Sequence, residues 1–240
     1  MRTLYQRDLA WIHHHGYARH ANNASPQLLR ILRAAGIRKG KIVDLACGSG
    51  IWANSATRGG FDVIGVDRSR AMLDLAKQVA PKAQFRCASL HDCAIPPCDV
   101  VTIIGEGIQY LQPNESKLRP LRPLFQRVAK ALRPGGIFIF DAIARSDKPY
   151  NFLHGRAGRD WACATEAKQK GNFLLREIAA FRKINGRWHR SDERHRVWLI
   201  DVDKTRAELL SCGFTVQVVR KYGSFELGLN RVAFIATKLR

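Results

Sequence analysis

Acidic side chains are scarce in this sequence: 20 Asp and Glu stand against 40 Lys and Arg, a formal charge of +20 over 240 residues. Long apolar runs are missing as well, and none approaches the roughly 18–20 residues that would cross a bilayer. The start, Met1-Arg2-Thr3-Leu4-Tyr5-Gln6-Arg7-Asp8, has no apolar core of a secretory signal. The expectation is a cytoplasmic chain with no membrane partner. Six cysteines, at 47, 87, 93, 98, 163 and 212, show no pairing pattern, and 46% hydrophobic content builds a core without disulfide staples, so reduced thiols are expected. His91-Asp92-Cys93 with Cys98 lacks a second ligand pair at finger spacing, so no metal is expected. Repeats and low-complexity segments are absent. The basic excess is divided equally between residues 1–144 and 145–240, so it is not a tail. Net charge bears on non-specific association rather than on fold or substrate, which leaves nucleic acid as the weaker partner reading.

What is present is an alternation of β-rich and helical stretches. Strands are expected over 41–46, 61–66, 83–87, 99–104 and 137–141, with helices over 51–58, 70–79 and 118–132 between them. Such alternation predicts a parallel sheet covered on both faces. The helix over 51–58 should close at Gly59-Gly60, Ser69 should cap the next, and Arg133-Pro134-Gly135-Gly136 should stop the third. Residues 145–159 are polar and glycine-containing, and strands without helices follow. The runs 172–183 and 187–200 flank Asn185-Gly186, a hairpin signal because both central positions of that turn take positive φ. A helix from Asp203 or Thr205 to Ser211 and strands over 214–220 and 232–238 complete the chain. The organisation expected is one domain: a helical lid over 1–35, a core over 36–145 and 203–240, and an inserted β cap over 146–202.

The chemistry concentrates at the end of the first strand. Gly48 and Gly50 form a tight turn where backbone amides and a helix N-terminus can approach a ligand. Gly48-Ser49-Gly50-Ile51-Trp52-Ala53 alone also fits a dinucleotide turn. Two carboxylates separate the readings. Asp44 would place a like charge beside a pyrophosphate but a counter-ion beside an ammonium group. Asp67, ending the second strand, can accept both hydroxyls of a ribose, its bland role being a helix cap.

The run Asp44-Leu45-Ala46-Cys47-Gly48-Ser49-Gly50 resembles the first motif of the class I S-adenosylmethionine-dependent methyltransferases, with Ala46 replacing a glycine. That replacement is expected to be mild, on the premise that the position does not demand positive φ. The resemblance extends to Gly65-Val66-Asp67, to Phe85-Arg86-Cys87-Ala88-Ser89-Leu90 and to Ala131-Leu132-Arg133-Pro134-Gly135-Gly136-Ile137-Phe138, spanning roughly 28–141 and 203–240. It implies an α/β Rossmann-like fold with a seven-stranded, mostly parallel sheet, helices on both faces, and an antiparallel β insertion between strands five and six. It also implies an S-adenosyl-L-methionine site. Asp44, Ala46, Cys47, Gly48, Ser49 and Gly50 would hold the methionine end. Asp67 would bind the ribose, with Arg68 also at the cofactor, and Met72, Ser89 and Leu90 would face the adenine, although Met72 also reads as ordinary core. Gly105 and Glu106 would line the methyl channel.

Methyl transfer needs alignment and exclusion of water more than a catalytic triad, and positioning alone contributes about 7–11 kcal/mol. Candidates for a general base are His195 and Glu106. Tyr5, His13, Tyr17, Tyr110 and Glu193 are candidates for acceptor contacts, Glu193 and His195 sharing one strand face. The β insertion resembles the substrate-capping elements of small-molecule methyltransferases, implying transfer to N or O of a small acceptor. The alternatives are an RNA or protein methyltransferase exploiting the basic surface, or a non-catalytic S-adenosylmethionine-binding protein. Gly105-Glu106-Gly107 lacks the Asn/Asp-Pro-Pro-aromatic run that holds a flipped base.

Overall fold

The computed structural model describes residues 4–112, 115–146 and 148–239. Seven strands form the main sheet: β1 (Gly40–Leu45), β2 (Phe61–Asp67), β3 (Gln84–Cys87), β4 (Cys98–Ile103), β6 (Leu132–Ile143), β11 (Phe214–Val219) and β14 (Arg231–Lys238). Their spatial order is β11-β14-β6-β4-β1-β2-β3, and β14 alone runs antiparallel to its neighbours. Alternation along the strands divides the core in two. Val43, Leu45, Val101, Ile103, Phe138 and Phe140 pack on one face with α5 (Arg122–Ala131) and α6 (Val202–Ser211). Ile42, Val63, Val100, Ile137 and Ile139 pack on the other with α2 (Arg19–Ala34) and α3 (Ile51–Arg58). Burial on both faces is why these strands read as near-continuous apolar runs. The sheet reverses order between β4 and β1, and a crevice opens beyond their carboxyl ends at that switch point.

A second, five-stranded antiparallel sheet runs β5 (Tyr110–Leu111), β10 (Arg187–Trp198), β9 (Phe173–Ile184), β8 (Trp161–Lys170) and β7 (Phe152–Gly158). The hairpin turn is as expected, with Asn185 at φ 49° and Gly186 at φ 81°. Two features of this sheet differ from the sequence reading. The polar stretch after residue 145 contains β7, stabilised as an edge strand by its ladder to β8 rather than by burial. The sheet also recruits β5 from the loop after β4, pairing Arg196 with Leu111 and Val197 with Tyr110. Helix bounds shift too. The helix α5 begins at Arg122 rather than near 118, since Pro120 cannot continue an α-helix and Pro123 fits a first turn. The helix α6 begins earlier than expected, because Asp201 accepts from the Lys204 N–H as its cap at 3.0 Å. The expected lid over 1–35, whose first three residues lie outside the described ones, divides into two parts. Helix α2 lays Leu28 and Leu32 on the main sheet's core, whereas α1 (Arg7–Gly16) packs Leu9 and Ile12 on Cys163, Ile178 and Ala180 of the second sheet.

Candidate active site

The turn after β1 is built around three residues with left-handed or near-left-handed backbone. Gly48 has φ 55° and Gly50 φ 77°, and a Cβ on Gly48 would meet no atom within 4 Å, so its outer side is open for a ligand. Ala46 has φ 54°, which overturns the expectation that its position tolerates alanine freely. Left-handed backbone costs a non-glycine residue about 1–2 kcal/mol. The Ala46 methyl fills the space in front of Gly107, where an added Cβ would come within 2.5 Å of it. In the loop after β4, Gly105 and Glu106 are left-handed too, at φ 85° and 69°.

Asp44 is buried in the crevice and its Oδ1 accepts from the Thr102 hydroxyl at 2.7 Å; Thr102 in turn accepts from the Trp52 indole N–H at 3.0 Å. Burial pushes the Asp44 carboxyl up to about 7, against the Thr102 hydrogen bond and with help from the charge of Asp67. A carboxylate so placed is an unneutralised charge awaiting a cation. Asp67 accepts from the Gly48 N–H at 2.9 Å and the Ser69 N–H at 2.8 Å, bracing the turn against the start of α4 (Arg70–Val79). Ser69 caps α4 through the Met72 N–H. Burial raises Asp67 despite these donors. The cap role thus belongs to Ser69, and each Asp67 oxygen keeps a lone pair for a further donor.

A cavity of about 490 Å³ continues from this turn to the second sheet. Every residue expected to touch the cofactor except Gly50 lines it: Asp44, Ala46, Cys47, Gly48, Ser49, Asp67, Arg68, Met72, Ser89, Leu90, Gly105 and Glu106. Gly50 is instead packed at α3's start, where a Cβ would stand 3.0 Å from Ala76. At the far side, Tyr5, His13, Tyr17, Tyr110 and His195 line the same space. Burial, reinforced by His195, pushes His13 down to about 4, so it is a neutral wall.

The two base candidates separate sharply. Burial would raise Glu106, but the guanidinium groups of Arg176 and Arg231 outweigh it and hold the carboxyl below its ordinary value. Arg176 approaches at 2.9 Å and Arg231 pairs with the other oxygen. The base expectation for Glu106 is therefore corrected: bracketed by two cations, it is a poor proton acceptor and acts as their counter-ion. His195 is fully buried, with Nε2 2.8 Å from Glu193 Oε2 and Nδ1 without a partner among the described residues. Glu193, expected at the acceptor, does not line the cavity; its oxygens are taken by His195 and by the N–H groups of Tyr5 and Gln6. The sequence reading missed Asp141, which accepts from the Gly105 and Glu106 N–H groups, His20 and the Tyr222 hydroxyl and so sets the loop after β4. Burial raises Asp141, but the His20 contact and these N–H donors leave it lowered. Its place at the carboxyl end of β6 was the available signal. Arg176 and Arg231 gave none, being two of 40 basic residues.

Comparison with known proteins accords with this geometry. Residues 42–136 match the family model described as a methyltransferase domain. The chain is 28% identical over 152 residues to the ubiquinone biosynthesis O-methyltransferase of Acinetobacter baylyi, covering 59% of this chain and 60% of that one. Its fold is that of an S-adenosylmethionine-dependent methyltransferase from Clostridium acetobutylicum, with TM-score 0.80, 18% identity, and 96% and 98% of the two chains covered. A sugar N-methyltransferase from Streptoalloteichus shares the fold at TM-score 0.79 and 14% identity, over 100% and 96% of the chains. Residues 42–136 thus resemble a methyltransferase domain, and the chain as a whole has the fold of S-adenosylmethionine-dependent methyltransferases. The residues present fit that cofactor: the open face of Gly48 and the uncompensated Asp44 carboxylate suit a ligand bearing an ammonium group.

Proposed function

We propose that the chain transfers the methyl group to N or O of a small acceptor held between the two sheets, with His195 as proton acceptor. One observation carries this reading: a single cavity is lined both by the turn at Gly48 and by His195, a buried imidazole whose Nδ1 has no partner among the described residues. The lining has three arginines, Arg68, Arg176 and Arg231, against four carboxylates, Asp44, Asp67, Glu106 and Glu115. The +20 excess therefore lies outside the cavity, and a polyanion has no basic track leading into it. Two proteins that share the fold are described as a sugar N-methyltransferase and an amino pentose methyltransferase, which supports a small acceptor.

The bound cofactor supplies a methyl on a positively charged sulfur, a leaving group that needs no further activation. The chain's own residues do the rest. Asp44 offers a counter-charge to the ammonium group and Asp67 accepts the ribose hydroxyls. Tyr5, His13 and Tyr110, all half-buried on the cavity wall, limit the access of water. With the cofactor bound, an acceptor would attack the methyl carbon and the sulfur would keep the electrons of the broken bond, while His195 would take up the acceptor's proton at Nδ1. Such a base contributes about 10²–10⁴-fold. His195→Ala is expected to lower turnover by that order with affinity for S-adenosylhomocysteine retained. Methyl-labelled S-adenosylmethionine incubated with metabolite extract and, separately, with total RNA tests the acceptor class; label appearing in RNA alone would overturn the small-molecule reading.

A further inference from the structure

Glu193 and His195 lie on the inward face of β10, and Glu193's side chain is only 5% exposed. A carboxylate can only accept, so the His195 nitrogen beside it, Nε2, carries the ring proton and Nδ1, without a partner among the described residues, keeps the lone pair. The same carboxylate is held by the chain's beginning. Its Oε2 also accepts from the Tyr5 N–H at 2.7 Å and its Oε1 from the Gln6 N–H at 2.7 Å. Gln6 is the residue preceding α1, so the negative charge rests at the positive end of that helix.

Tyr5 reaches the cofactor wall as well. Its carbonyl accepts from the Ser69 hydroxyl at 2.7 Å, and the Ser69 N–H donates to Asp67. Its own hydroxyl lies 2.8 Å from that of Tyr110, which accepts from Arg176. Tyr5 holds φ 55°, a conformation costly for a tyrosine and maintained only when the surroundings over-determine it. One residue thus ties the ribose carboxylate's neighbour to the carboxylate behind the base.

We infer that Glu193 is a positioning residue that keeps His195 in its proton-accepting form only while the Tyr5–Gln6 segment is latched from Ser69 to Glu193. The base is then formed together with the closed cofactor wall. This rests on the reading of His195 as proton acceptor. With the segment displaced, the buried Glu193 loses two of its three donors and His195 its fixed orientation. The charged and titratable groups around the imidazole are Glu193 on its own strand, Arg176 opposite it on β9, Tyr5 and His13 from the amino-terminal segment and Tyr110 from β5.

Glu193→Gln tests the inference with little change of shape. One amide orientation would donate to Nε2 and move the ring proton to Nδ1; the other would face the Gln6 N–H with an NH₂ group. Either breaks half of the arrangement. The expected result is a kcat about 100-fold lower, within the range of a lost general base, and loss of the limb of the kcat–pH profile that His195 supplies. Binding of S-adenosylhomocysteine shows that the variant is folded. Glu193→Gln combined with His195→Ala should be no slower than His195→Ala alone, because the two act as one unit. Ser69→Ala should lower kcat several-fold from a position that does not touch the imidazole, and Ser69→Thr should restore it. A wild-type pH profile in Glu193→Gln, or a loss that multiplies with that of His195→Ala, overturns the inference while leaving the base reading in place. Wild-type turnover in His195→Ala removes the base reading, and the inference with it.

Discussion

The Asp44 carboxyl gives a prediction in which stability and binding move in opposite directions. Its folded value of about 7 lies some three units above the ordinary 3.8 because burial disfavours the charge. Each unit corresponds to about 1.4 kcal/mol, so carrying the ionised group at pH 8 costs at most about 4 kcal/mol, and about 2 after local relaxation. For an acid raised on folding, the favourable contribution is complete below the unfolded value and disappears as pH rises from about 4 to about 7. Asp44→Asn is neutral throughout, and its side-chain oxygen can accept from Thr102 as Asp44 does. The ligand-free variant should therefore match the wild type near pH 4 and exceed it at pH 8 by about 4–8 °C in Tm, given about 2–4 °C per kcal/mol at this size. Its affinity for S-adenosylhomocysteine should fall by about 10–100-fold, the loss of a charge-assisted contact. In the wild type that affinity should weaken about tenfold per pH unit below 7, as Asp44 is protonated in the free protein. Differential scanning calorimetry and titration calorimetry across pH 5–8 read all three. An Asp44→Asn protein that is less stable at pH 8, or that binds S-adenosylhomocysteine as tightly as the wild type, would refute the counter-ion argument.

Asp67→Ala should weaken cofactor binding by roughly 2–4 kcal/mol, and the 2′-deoxy analogue should lose affinity for the wild type but not for the variant; equal losses in both would remove the ribose contact. Gly107→Ala should destabilise by about 1–3 kcal/mol through overpacking, since the new methyl would stand 2.5 Å from that of Ala46. Adding Ala46→Gly should recover most of that loss in urea unfolding, and an undiminished loss would show that the two positions do not press on each other.

Much of the core follows from local rules. The bounds of α3 and α4, the hairpin at Asn185-Gly186 and the buried strands came from period, cap and turn chemistry, each depending on neighbours in sequence. The candidate cofactor wall was brought together for the same reason: Asp44, Gly48 and Asp67 sit on one βαβ unit whose geometry their spacing dictates. Glu193 and His195 were legible as sharing a strand face, because strand side chains alternate. What Glu193 does with that face was not legible.

Its partners, Tyr5 and Gln6, lie far away in the chain and act through backbone N–H groups that every residue but proline possesses. The same holds for Glu106, a plausible base in the sequence and a bracketed counter-ion once Arg176 and Arg231 arrive from the second sheet and the last strand. Ala46 shows the limit at a single residue, since its backbone is left-handed against the preference of alanine. The sequence by itself determined the turn after the first strand and the carboxylates beside it, whose placement is set by local geometry. Only the tertiary structure decided which buried group is left free to take a proton, because that depends on which charges and donors packing brings within reach.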